Sequence, residues 1–291
     1  MSYQSILRDD AFAGKTILVT GGGSGLGRCI AHELSKLGAR LLLIGRNEQK
    51  LQRVLQELQE DGGTAFYNVG DIRDEETMTA LVASFICQHG PIHGLVNNAG
   101  GQFPTELENM SAKGFMAVVE TNLLGGFIVA REVYKQSMAR HGGSIVNITA
   151  ATDGGLPRMA HSAAARAGME NLTKSSALEW VKRGVRVNAV APGMIASSGL
   201  DTYKDPGMIA NFTRMGKKIP LARPGTEAEV SSAVCFLLSE AAAYITGSIL
   251  RVDGGMSLST SSALHDLIIA EQHNDAFDGF HRSNKPKVLE E

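Results

Sequence analysis

The 291-residue chain has few cysteines, few aromatic residues, almost no net charge and no long apolar run. Its three cysteines, Cys29, Cys87 and Cys235, are odd in number and lie inside apolar helical patterns. That excludes a disulfide framework and a cysteine-bound metal cluster, and leaves core packing as the expected use of all three. No stretch of about 18 uninterrupted apolar residues is present, and the start MSYQSILRDDAF lacks the apolar centre of a signal peptide. Membrane insertion is therefore not expected, and the expected location is cytoplasmic. A formal net charge of −2 excludes the broad basic field that non-specific nucleic-acid binding needs. Tyrosine is scarce as well, with only Tyr3, Tyr67, Tyr134, Tyr203 and Tyr244.

What is present is a chain that is 43% hydrophobic with 33 glycines, ample for a buried core. Short aliphatic runs alternate with longer segments of helical period, the pattern of a parallel sheet covered by helices. Strands are predicted at 15–20, 40–45, 64–69, 92–97, 144–149, 185–190 and 248–252, and the longest helices at 112–140 and 158–182. Length alone allows about two domains, but no linker or internal repeat divides the chain. The expectation is one α/β domain over residues 12–256: a Rossmann-type, doubly wound, seven-stranded parallel sheet with helices on both faces. The stretch 196–224, broken by Pro206, Gly207 and Gly216, has the composition of a lid. Residues 257–291 form an extension, either a subunit contact or a disordered tail.

The segment TGGGSGLG, residues 20–27, follows the first strand and opens a helix with Ile30, Leu34 and Leu37 on one stripe. Gly21 permits a sharp turn, and Gly25 and Gly27 allow backbone and helix to approach a pyrophosphate; Gly23, Ser24 and Leu26 complete the loop. The helix N-terminus adds unpaired N–H groups and positive dipole. At the end of the second strand Gly45 is followed by Arg46. An acid there would bind a ribose 2′-hydroxyl, whereas an arginine pairs with a 2′-phosphate, so NADP(H) is expected over NAD(H). The alternative for Arg46 is a solvated charge at a helix start.

Five ordered motifs then identify a resemblance. T-G-x-x-x-G-x-G at 20–27, Asp71-Ile72 after the third strand, NNAG at 97–100, Asn122 within a helix and PGMI at 192–195 resemble the short-chain dehydrogenase/reductase family. The resemblance implies that Asp71 and Ile72 border the adenine and that Asn98, Ala99 and Gly100 flank the cofactor. It also places Thr149, Arg166, Pro192, Gly193, Ile195 and Ser197 at the nicotinamide end, and has Asn122 support a helix and an ordered water. NNAGGQF, ETNLLGGF, HGGSIVNI, HSAAARAG, LTKSSALEW and EVSSAVCFLLS are similar to the peroxisomal trans-2-enoyl-CoA reductases and, more distantly, to the 2,4-dienoyl-CoA reductases.

Most of that family pairs a tyrosine with a lysine four residues later, the lysine lowering the phenol pKa for proton transfer. The residues four beyond the five tyrosines here are Leu7, Asp71, Met138, Gly207 and Ser248, so the pair occurs nowhere. Aligned on the following Ala-Gly, the tyrosine position holds Ser162 and the lysine position Arg166, while Ala150 stands where a catalytic serine is usual. A serine hydroxyl is too weak an acid to replace a phenol, and a guanidinium cannot tune a neighbour by titrating. Reduction of a double bond conjugated to a thioester asks for less. Its first need is a hydrogen-bond donor at the thioester oxygen, a role expected of Ser162, with Arg166 holding the nicotinamide ribose. The α-proton has four candidate sources: water at Asn122, His161, Asp153 or Tyr203.

Lys204, Arg214, Lys217, Lys218 and Arg223 are placed to meet CoA phosphates, and Met194, Met208, Ile209, Phe212 and Met215 to line an acyl channel, unless they form an ordinary solvated face and a small satellite core. The expected activity is NADPH-dependent enoyl-thioester reduction on acyl-CoA. Two alternatives stand: an NADP-dependent dehydrogenase or ketoreductase with a non-standard proton donor, and an inactive dinucleotide-binding regulatory protein. Relatives pair through their two long helices, and the apolar stripes carrying Leu172, Leu178 and Trp180 permit a homodimer or tetramer.

Overall fold

The computed structural model describes residues 8–202, 212, 214–258, 269–270, 275–284 and 286. Seven parallel strands form the main sheet: β1 (Thr16–Thr20), β2 (Arg40–Gly45), β3 (Thr64–Val69), β4 (Gly94–Asn97), β5 (Gly143–Ile148), β6 (Val185–Pro192) and, last in the chain, β9 (Ile249–Val252). Their spatial order is β3-β2-β1-β4-β5-β6-β9. The chain winds outward from β1 to β3, then crosses back to place β4 on the other side of β1. That reversal opens a crevice at the carboxyl ends of β1 and β4, where doubly wound sheets take their ligands.

The strands are apolar on both faces because both faces are covered. Alternate side chains point opposite ways, so Ile17, Val19, Leu41 and Leu43 enter one core while Leu18, Leu42 and Ile44 enter the other. The first core is closed by α1 (Gly25–Lys36), α2 (Glu48–Glu60) and a late helix (Glu227–Leu238, named α6 below) through Ile30, Leu34, Leu51, Leu58, Val230 and Val234. The second is closed by α3 (Glu75–His89), α4 (Ala112–His141) and α5 (Ala160–Trp180). Helix α4 is long and apolar enough by composition to cross a membrane, yet it lies along the sheet against α3 and α5. Two π turns, Glu120–Leu124 and Tyr134–Met138, interrupt its α-helical pitch. Such bulges are often kept where a side chain must be re-aimed, and the first carries Asn122.

One expectation needs correction, and two features go beyond the sequence reading. Cys87 is exposed on α3 and not part of the core, whereas Cys29 and Cys235 are buried. The stretch after β6 contains a short parallel pair absent from the sequence reading, β7 (Ile195–Ala196) with β8 (Gly225–Thr226). The described part of the C-terminal extension, 275–284, packs on its own domain. Phe280 is buried beside Cys29 and Ala228, with the Arg28 guanidinium 5.0 Å from its ring centroid. Thr226 Oγ1 donates to the Phe277 carbonyl at 2.6 Å, and Arg282 pairs with Asp61 at 2.8 Å.

Candidate active site

The glycine loop is shaped by close backbone approach. Gly21 and Gly25 have φ of 67° and 54°, which favour glycine. A Cβ on Gly27 would run into the Gly21 carbonyl and the Asn98 amide. Asn98 serves as the fastener: its Nδ2 donates to the carbonyls of Thr20 and Gly21 at 3.0 and 3.3 Å. Thr20 Oγ1 accepts the backbone N–H groups of Asn98 and Ala99, both at 3.0 Å. The loops after β1 and β4 are thereby locked into one rim. Helices α2, α3 and α6 are capped by Asn47, Asp74 and Thr226, but Ser24 makes no side-chain cap bond to α1 and no acid occupies that helix's first turn. The α1 N–H groups thus stay open to an anion. Gly25 faces open space bordered only by Glu227 Oε1 and Ser197 Oγ, 3.9 and 4.0 Å from where its Cβ would stand. This cradle fits a dinucleotide pyrophosphate.

At the adenine end, Arg46 is exposed just beyond β2. Lys50, one turn into α2, lies against Gly23, its Cβ 3.1 Å from where a Gly23 Cβ would stand. Asp71 is held by Arg73 at 2.5 Å, and that guanidinium keeps the carboxyl below the usual range. Ile72 is buried, its side chain filling the space above Gly125.

Beyond the glycine loop, four successive residues after NNA are strapped to α4 and α5. The Arg166 guanidinium occupies the place a Gly100 Cβ would take. Asn122 Oδ1 accepts from the Gly101 N–H at 2.9 Å, and its Nδ2 donates back to the Gly101 carbonyl at 3.0 Å. Ser162 Oγ donates to Gln102 Oε1 at 2.7 Å. The rings of Phe103 and His161 meet edge to face at 4.6 Å. Arg166 also donates to the Ile148 carbonyl at 2.6 Å, and burial pushes its pKa down to about 10, so it remains a cation at neutral pH.

Ser162 is fully buried, and its single proton is committed to Gln102, while Asn122 Nδ2 stands 3.4 Å from its oxygen. The result is a directed series of donors, Asn122 to Ser162 to Gln102. His161 is also fully buried: its Nδ1 accepts the Ser162 N–H at 2.7 Å, and its Nε2 has no partner among the described residues. A loop held by Arg158, whose φ of 65° is unusual for a side chain of that size, adjoins this site; its carbonyl accepts from Thr105 N at 2.9 Å.

Several expected participants are committed elsewhere. Thr149 is buried with its hydroxyl 3.2 Å from both Glu170 Oε1 and the Val190 carbonyl, so it does not face the crevice. Asp153 is paired with Arg251, at 2.5 Å, which removes it as a proton source. Arg223 forks onto Glu229 at 2.7 and 3.0 Å instead of facing a phosphate. Pro192 ends β6; Gly193 passes 2.8 Å from Asp253 Cα, measured from its would-be Cβ; Ile195 joins β7 and packs on the core. Lys204, Tyr203, Met208 and Ile209 lie outside the described residues.

Similarity to known proteins agrees with this geometry. The family profile described as Enoyl-(Acyl carrier protein) reductase matches residues 21–257. The chain belongs to this short-chain dehydrogenase/reductase family. It is 35% identical over 269 residues to a peroxisomal 2,4-dienoyl-CoA reductase of Danio rerio, covering 91% of this chain and 89% of that one. Among solved structures, the citronellol catabolism dehydrogenase AtuB of Pseudomonas aeruginosa PAO1 is 51% identical with a TM-score of 0.78, covering 88% of this chain and all of that one. An actinorhodin polyketide ketoreductase with NADPH is 33% identical at the same TM-score, covering 84% and 97%. As a short-chain dehydrogenase/reductase, the chain is an oxidoreductase on a nicotinamide-dinucleotide fold. It departs from the usual members of that family at Ser162, Arg166 and Ala150 together.

Three residues of the site escaped the sequence reading. Gln102 directly follows NNAGG, where two glycines already signal close approach to another element. Lys50 is hidden by its place on an exposed helix face, three residues after the Asn47 cap. Glu227 reads as an ordinary first-turn acid of α6, and only the fold turns it toward Gly25.

Proposed function

We propose that the protein reduces the carbon–carbon double bond of a trans-2-enoyl thioester, an acyl-CoA, with NADPH. The observation that carries this is the donor series that runs from buried Asn122 and Ser162 to exposed Gln102, standing where a titratable phenol is usual. Ketone reduction needs a full proton delivered to oxygen, which a buried serine hydroxyl does not release near neutrality. Enoyl reduction needs only that negative charge on the thioester oxygen be held, a task for fixed dipoles, until the α-carbon takes a proton from water entering the crevice. A bound reduced nicotinamide supplies the hydride for the β-carbon. Ser162 holds the Gln102 Oε1, so that the Gln102 Nε2 N–H is the donor to the developing oxyanion; Arg166 holds the ribose as a permanent cation, and Asn122 orients Ser162. Arg46 and Lys50 support the preference for the 2′-phosphate. The exposed apolar residues Met116, Leu124, Leu178 and Val181 on α4 and at the end of α5 support self-association through these helices.

The similarity to AtuB favours a second reading, in which the substrate is an alcohol or carbonyl compound of citronellol breakdown. Product analysis separates the two. With a trans-2-enoyl-CoA and NADPH deuterated at the nicotinamide C4, mass spectrometry is expected to find one deuterium at C3 of a saturated acyl-CoA. Deuterium only on the carbinol carbon of an alcohol product from a carbonyl substrate would overturn the enoyl assignment.

A further inference from the structure

We infer that Glu227 binds the dinucleotide pyrophosphate as a neutral acid, donating its proton to a phosphate oxygen, so that cofactor binding takes up a proton. This rests on the dinucleotide-binding function of the crevice and goes beyond it. Glu227 is the first residue of α6 and is only 5% exposed. Its carboxyl is turned inward, away from the solvent that first-turn acids usually meet. Oε1 has no hydrogen-bond partner among the described residues and lies 3.9 Å from where a Gly25 Cβ would stand. Gly25 is the loop glycine whose missing side chain lets phosphate approach, so the orphaned oxygen borders the space the pyrophosphate fills.

Among the described residues, every neighbouring element leaves the carboxyl without a committed counter-charge. From α1 come Arg28, already forked onto Glu57 at 2.7 and 3.0 Å, and the Cys29 thiol, pushed up to about 12 by burial. From the extension comes Asp278, a like charge, and from the turn after β7 the backbone N–H of Ser198, which favours the carboxylate. Burial dominates these influences and raises the Glu227 pKa to about 7. A pyrophosphate arriving beside it adds negative charge and raises it further. Above pH 7 the free protein holds a carboxylate that must be protonated before or as the dinucleotide seats, and affinity falls by about tenfold per pH unit. Below pH 7 the proton is already present and no linkage remains.

The test is titration calorimetry of NADP+ into the full chain at pH 8, in two buffers of different ionisation enthalpy. The wild-type protein is expected to take up close to one proton per site, and Glu227→Gln close to none, with a dissociation constant flat between pH 7 and 8.5. Should Glu227→Gln fail to fold, the wild-type protein still decides the matter: adenosine 2′-phosphate, which carries no 5′ phosphate for the glycine loop, is expected to bind without proton uptake. Uptake that persists in Glu227→Gln, that is equal for the fragment, or that is absent from the wild type overturns the inference alone. Failure of any dinucleotide to bind overturns the cofactor assignment with it.

Discussion

Ser162→Ala removes one buried hydroxyl and nothing else of size. In the folded protein that hydroxyl donates at 2.7 Å to Gln102 and receives a long contact of 3.4 Å from Asn122. Asn122 keeps both of its bonds to Gly101, so its position survives. Gln102 is exposed, so its freed acceptor is met by water and the stability cost stays near the net worth of one hydrogen bond, about 1 kcal/mol. The transition state loses the hydrogen bond that aims the Gln102 carboxamide at the oxyanion, up to about 3–4 kcal/mol or a hundred- to a thousandfold in kcat. The KM for NADPH is expected to stay within about threefold, because the glycine loop and Arg166 are untouched. Steady-state kinetics with a short trans-2-enoyl-CoA, paired with urea unfolding, separate the two losses. A kcat within about threefold of wild type would refute the oxyanion role of the Ser162–Gln102 pair.

Gly100→Ala places a methyl group on the Arg166 guanidinium and 3.0 Å from Asn122 Oδ1; displacing both is expected to lower kcat about a hundredfold, with circular dichroism unchanged. Arg46→Ala is expected to weaken NADPH binding about tenfold or more and leave NADH binding within about twofold, by fluorescence titration. Glu33 on α1, whose carboxylate accepts from Ser231 and Ser232, is raised by burial from 4.5 to about 7. A raised folded-state pKa gives stability that is full below pH 4.5 and drains away as pH rises to 7, about 3 kcal/mol across that window. Urea titrations at pH 5 and 8 are expected to show a smaller fall for Glu33→Gln than for wild type.

The sheet was legible because β1, β2, β5 and β6 are aliphatic runs buried on both faces, and the glycine loop because Gly21 and Gly27 answer to backbone contacts that nothing larger tolerates. The loss of the usual tyrosine–lysine pair was legible too, as an arithmetic absence from the sequence. What the sequence did not carry was which polar atoms finish facing one another. Thr149 and Arg223 carry suitable chemistry but spend it on Glu170 and Glu229, partners far enough away or common enough to be invisible in a motif. Gln102 and Glu227 gain their places only from packing between elements: α5 brought under the loop after β4, and α6 brought against α1. The pair β7–β8 is two residues long on each side, too short for any periodic signal.

Parallel kinetics on three substrate classes weigh the chemistry against its rivals: NADPH oxidation with a trans-2-enoyl-CoA and with a 3-ketoacyl-CoA, and NADP+ reduction with a branched acyclic alcohol. The donor series predicts turnover of the enoyl-CoA, with kcat/KM well above the other two. Turnover of the ketone or the alcohol with none of the enoyl-CoA would contradict it, and would mean that a proton donor other than the Ser162–Gln102 pair serves the site.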